Sequence, residues 1–136
     1  MKIFQKLSNN FSMTLNEYQQ KAMVTCMPSS ENYSYMMLNL VGEVGELASK
    51  VGKAIRKGNA EINNNRLTMF GDEDALNTQE YELKKEAGDV LWMLSGLCTI
   101  FGWKLEEVAQ LNLDKLQARK EVGTIDGNGD GILRGK

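Results

Sequence analysis

Two short segments carry the residues best able to do chemistry. "LNLVGEVGEL", residues 38–47, sets Glu43 and Glu46 three apart, and "ELKKEAGDVL", residues 82–91, does the same with Glu86 and Asp89. Superposed, they share the pattern L-x-x-E-[VA]-G-[ED]-[LV] at an offset of 43 residues (Glu43 to Glu86). Residues three apart on a helix are neighbours, so each segment presents two carboxylates side by side at the edge of an apolar stripe. If the two stripes pack together, all four acids converge. Unpartnered anions in a partly shielded site repel strongly. A hard divalent cation resolves that repulsion, and all-oxygen ligation suits magnesium or manganese. A single E-x-x-E is usually a solvated helix face. Its recurrence in one frame, with Gly45 and Gly88 at matching positions, is what favours a site. Helix-interior glycine costs up to about 1 kcal/mol against alanine, and the missing side chains are expected to let another helix come close.

The elements that must position these acids read as helices. Thr14 to Glu17 matches a capping box, predicting a first helix over about Leu15 to Met27, stopped by Pro28. A second is predicted from about Tyr33 to Lys57, ending at Gly58, with Met36, Leu40, Val44, Leu47, Val51, Ala54 and Ile55 on one side. The Asn-rich stretch 59–77 reads as a loop with room for a short extended piece at "RLTMF". Asn77 with Glu80 opens a third helix that runs to about Phe101 before Gly102, its stripe built on Leu83, Val90, Leu94, Leu97 and Cys98. Trp92 lies opposite that stripe and gives the helix a second apolar side, suited to an interface. A fourth helix spans about Lys104 to Glu121, before a Gly-rich tail, 122–136. The expectation is a single all-α domain, a four-helix bundle with its helical core over about 14–121.

Cations follow the acids. Lys50, Lys53 and Lys57 continue along the acidic side of the second helix. On the fourth helix Asn112 and Arg119 fall on the stripe of Leu105, Ala109 and Leu116, with Lys115 at its margin. Polar groups facing inward need partners, and a polyphosphate bridged to a metal would supply them. Taken singly, the lysines are more simply read as surface ions paired with nearby acids.

Composition removes several classes. There is no histidine among the 136 residues, which excludes the usual general base and the commonest zinc and non-haem iron ligand. A ferritin-like di-iron bundle, which needs Glu-x-x-His twice, is discounted for the same reason. A net charge of -2 gives no basic field for nucleic acid. Cys26 and Cys98 read as small core residues in a reducing compartment. No apolar run is long enough to span a membrane, and the first residues lack a secretory pattern, so a cytoplasmic location is expected. In the tail, Asp126, Asn128, Asp130 and Gly131 imitate the start of an EF-hand loop, but its closing acid would fall past Lys136, so calcium is not expected there.

With these residues in place, the chain resembles the MazG-like nucleoside triphosphate pyrophosphohydrolases of the all-α NTP pyrophosphatase superfamily, in their phage-type, single-domain form. The resemblance rests on Glu43/Glu46, Glu86/Asp89, "GDVLW" at 88–92 and "NLDKLQARKEVG" at 112–123. It implies a helical magnesium site and an oligomer, dimer or tetramer. The implied reaction is hydrolysis of a nucleoside triphosphate to monophosphate and pyrophosphate. Glu43, Glu46, Glu86 and Asp89 take the metal-ligand positions, and Glu46 is a candidate base. Asn112, Lys115 and Arg119 match the segment expected near the nucleotide, beside Lys50 and Lys53. Gly42 stands where many relatives carry another glutamate, and Met93 where several carry tyrosine. The competing expectation is a noncatalytic helical oligomer acting as a protein-interaction module.

Overall fold

The computed structural model describes residues 12–123; the EF-hand-like stretch and the rest of the tail from residue 124 lie outside them. Four helices, α1 (Leu15–Met23), α2 (Tyr33–Arg56), α3 (Glu73–Ile100) and α4 (Leu105–Glu121), are joined by short connections and one hairpin, β1 (Ala60–Asn63) and β2 (Arg66–Met69). The all-α class is thus what the chain adopts. The expected capping box opens α1, with Glu17 N–H donating to Thr14 Oγ1 at 3.1 Å and Thr14 N–H to Glu17 Oε2 at 2.7 Å. Bonding from Thr14, its backbone N–H first and then its side chain, holds the Glu17 carboxyl below its ordinary pKa. The helix ends at Met23 rather than Met27. Thr25 folds its hydroxyl onto the Ala22 carbonyl at 2.7 Å, offering the backbone a turn in place of a further helical residue.

Helix α2 stops as expected. Gly58 adopts φ +76°, and the N–H groups of Gly58 and Asn59 return to the carbonyls of Ile55 and Ala54. This left-handed cap favours glycine. Gly102 ends α3 in the same way, at φ +72°. The stretch expected as loop carries a hairpin, and the extended piece expected at "RLTMF" is its second strand. Asn64 and Asn65, at φ 51° and 60°, form its two-residue turn, and asparagine tolerates that region. Helix α3 begins at Glu73, four residues before the expected start, because Asp72 caps it by accepting from Ala75 N–H at 2.9 Å. Glu73 and Asp74 in the first turn add favourable charge at the positive end of the helix dipole.

The core is small and sits where α2 crosses α3. Met36, Met93 and Leu97 are buried together, with Leu40, Trp92 and Ile100 packed around them. The glycine that permits this approach is Gly96. A Cβ there would lie 2.6 Å from Met36 Cε, and Met36 is fully buried. Gly45 and Gly88, expected to serve that purpose, have nothing within 4 Å. The second apolar side of α3 is covered by α1: Trp92 Nε1–H donates to Thr25 Oγ1 at 2.9 Å and to the Ala22 carbonyl at 3.2 Å. Met93, at 7% exposure, belongs to the core. Helix α4 docks mainly on α1. Its first N–H groups are capped from afar, Leu105 by Gln19 Oε1 at 2.8 Å and Glu106 by Asn16 Oδ1 at 3.1 Å.

The glycines make this arrangement testable. Gly96→Ala is expected to destabilise the chain by about 1–2 kcal/mol in urea unfolding, because overpacking against Met36 outweighs the gain in helix propensity. Gly45→Ala is expected to stabilise it by up to about 1 kcal/mol.

Candidate metal centre

The α2–α3 crossing brings acids from both helices together. One carboxylate oxygen from each of Glu43, Glu86 and Asp89 lies within 4.8 Å of the other two. Hard divalent cations bind oxygen at about 2.0–2.6 Å, so ligands on opposite sides of an ion stand about 4–5 Å apart. The three oxygens therefore span the space such an ion fills. Glu43 and Glu86 are half-buried and Asp89 is exposed, which leaves one side open to a ligand.

Glu43 registers the crowding. Its carboxyl is pushed above the ordinary carboxylate range first by burial, then by the negative charges of Asp89, Glu86 and Glu46. Glu46 is thus an electrostatic neighbour, but it is exposed and stands outside the trio. From α1, Tyr18 adds a phenol whose pKa is raised by burial and by the charge of Asp89, so it stays protonated beside the acids.

Lys50 supplies the countercharge. Its Nζ lies 3.2 Å from Glu86 Oε1 and 3.1 Å from Glu82 Oε2, and these bonds raise its pKa. The pairing is the surface-ion arrangement weighed for the lysines, placed at the edge of the centre. Glu82 was not singled out in the sequence, although its spacing of four from Glu86 puts it one turn away on the same face. Lys53 is exposed and, with Lys50 and Lys57, lines a cavity between α2, the hairpin and α3. The fourth-helix residues are placed differently. Asn112 is exposed rather than inward-facing, Lys115 and Arg119 are half-buried, and the helix that carries them packs mainly on α1. None of the three lines that cavity.

A helical scaffold that gathers carboxylates from two E-x-x-[ED] turns defines an all-α protein with a centre suited to a divalent cation. Comparison with known proteins makes the assignment particular. The family model for the MazG nucleotide pyrophosphohydrolase domain matches residues 31–123. The Gene 37 protein of Mycobacterium phage L5 is 40% identical over 104 residues, covering 75% of this chain and 78% of that protein. No solved structure matches. The chain belongs to the MazG nucleotide pyrophosphohydrolase family, and its similarity to a phage protein marks it as a phage-type member. Among the described residues no helix is long and apolar enough to cross a membrane.

The raised pKa of Glu43 sets a pH dependence. The folded state holds that proton more tightly than the unfolded chain does. Without divalent cation, stability is therefore expected to fall as pH rises from the ordinary carboxylate range through the elevated folded value. Glu43→Gln should flatten that slope and abolish the rise in Tm on adding Mg²⁺, both read by thermal melts across pH.

Proposed function

We propose that the chain hydrolyses a nucleoside triphosphate, ribo or deoxy, to the nucleoside monophosphate and pyrophosphate, with magnesium or manganese as cofactor. The carrying observation is the meeting of Glu43, Glu86 and Asp89 oxygens within 4.8 Å, in a chain of this family. The donor set fits a hard cation: all oxygen, from two helices, with the Glu43 carboxyl pushed up by burial and then by its acidic neighbours. When bound, the cation supplies charge against the triphosphate oxygens and Lewis acidity at the reacting phosphorus.

The chain's own groups do the rest. Glu43, Glu86 and Asp89 would hold the cation. Water attacks the α-phosphorus, the bond to the bridging oxygen breaks, and pyrophosphate leaves. Glu46, exposed and one turn along α2 from Glu43, accepts the proton of the attacking water. Lys50 exchanges its carboxylate partners for phosphate oxygens, and Lys53 adds positive charge on the same side. Pyrophosphate release should require Mg²⁺. Glu43→Gln and Asp89→Asn should each lower kcat/KM at least ~100-fold while the far-ultraviolet dichroism stays helical. Undiminished turnover in either variant overturns this reading in favour of the noncatalytic oligomer.

The working unit in this proposal is a homo-oligomer, dimer or tetramer. In one chain Leu38 is 72%, Val41 68%, Leu111 64% and Leu113 59% exposed. A second copy packed on these residues would cover apolar surface that one chain leaves exposed. The partner copy's α4 would bring the segment of Asn112, Lys115 and Arg119 to the nucleotide. Light scattering should give a mass of two or four chains, and Leu38→Lys with Leu111→Lys should yield monomers. A wild-type monomer at micromolar concentration removes the shared-site element.

A further inference from the structure

The cations of the helix pair all lie to one side of the metal centre. In α2 no lysine or arginine precedes Lys50, and in α3 none follows Lys85. Glu43, Glu86 and Asp89 stand at that boundary. Along this pair, an anion leaving the centre meets countercharge in one direction only. That direction runs past Lys50, whose Nζ lies 3.2 Å from Glu86 Oε1.

Beyond Lys50 lies a cavity of about 340 Å³, bounded by the second half of α2, the hairpin and the first half of α3. Its size falls within the range for small-molecule sites. Lys50, Lys53 and Lys57 line it, against a single carboxylate, Glu82. Both Glu82 oxygens are engaged, Oε2 by Lys50 at 3.1 Å and Oε1 by Lys85 at 2.7 Å. Among the described residues, Lys53 and Lys57 are paired with no carboxylate. Val51, Leu67, Met69 and Leu83 make much of the remaining wall apolar. Excess positive charge beside an apolar wall suits an occupant that is both anionic and ring-bearing.

Length decides what that occupant is. Lys50 stands about two helical turns past Glu43, and Lys57 about four. Glutamate and lysine side chains lean alike toward the helix N-terminus, so the separation carries over to their charged ends. The two phosphates beyond the attacked phosphorus of a triphosphate extend about one turn. A triphosphate tail therefore ends near Lys50, and Lys57 and the apolar wall lie past it. A further phosphate and a second nucleoside fill that space.

We infer that the cavity receives the leaving group of a longer substrate, a dinucleoside tetraphosphate, in which two nucleosides are joined 5′ to 5′ through four phosphates. This rests on the nucleotide reading above. Water attacks the phosphorus next to one nucleoside. The bond from that phosphorus to the adjoining bridging oxygen breaks, and its electron pair leaves with the far half. The products are a nucleoside monophosphate and a nucleoside triphosphate, and Glu46 takes the proton of the water as for the shorter substrate. The far phosphates lie against Lys53 and Lys57, and the far ring against Leu67 and Met69.

The test compares initial-rate kcat/KM, with Mg²⁺, for ATP against diadenosine tetraphosphate and for GTP against diguanosine tetraphosphate. Wild type should cleave each dinucleotide at least as well as its triphosphate, releasing monophosphate and triphosphate. Lys57→Glu and Leu67→Glu change exposed positions, which the fold tolerates. Each should lower kcat/KM for the dinucleotides at least about tenfold and leave the triphosphates within about twofold. Poorer cleavage of the dinucleotides by wild type, release of two diphosphates, or equal losses at both substrate lengths overturns the inference while triphosphate hydrolysis stands. If none of the four is cleaved, the hydrolytic reading falls, and the cavity is judged by equilibrium binding of diadenosine tetraphosphate against ATP, which carry similar charge. Binding of the dinucleotide at least about tenfold tighter, lost in both variants, supports the cavity; equal binding, none, or an advantage that survives the variants overturns it.

Discussion

Like charges crowded at the crossing of α2 and α3 are the constraint around which this molecule is organised. Carboxylates do not gather of their own accord; they are carried there by helices whose apolar sides have nowhere else to go. Met36 fills the notch left by Gly96 and sets the approach of the helices at one end of the crossing. The acids ride along the same crossing, and the Glu43 carboxyl is pushed up there by burial and then by the neighbouring acids. Lys50 offsets part of that repulsion by bonding Glu86, so the centre is held with one cation of its own. Core packing and site chemistry are thus two readings of one helix pair.

Much of this was legible before any coordinates. The repeated E-x-x-[ED] turn pointed to acids of which three, Glu43, Glu86 and Asp89, meet between α2 and α3, because helical spacing is local and obeys a fixed period. The Thr14 capping box and the Gly58 and Gly102 stops were legible because each is a local backbone requirement met by one residue type. What escaped was non-local or masked by polarity. The run "GDEDALN" looks like loop, yet Asp72 caps a helix there. Asn64 and Asn65 hid a hairpin turn that glycine would have announced. Gly96 looked no different from Gly45 or Gly88, since only the identity of the residue opposite, Met36, separates them. Trp92 looked like an interface residue because nothing in the sequence shows that α1 folds back over it.

The hairpin also changes what the centre can be. Two helices alone would present their acids to open solvent on every side. With β1 and β2 laid beside the second half of α2, the approach past Lys50 gains an apolar wall from Leu67 and Met69, next to Lys53 and Lys57.

The long-range caps from α1 govern the order in which the chain can mature. Helix α4 has no side chain at its own N-cap to hold its first turn; Gln19 and Asn16, some eighty to ninety positions earlier, do that work. Those bonds close only after nearly the whole chain is available, and wide loops close slowly. During synthesis α1 can pack on α3 once α3 is made, while Gln19 Oε1 and Asn16 Oδ1 meet their donors only when α4 arrives. Final docking of α4 is a late event, separable in time from formation of the α2–α3 centre.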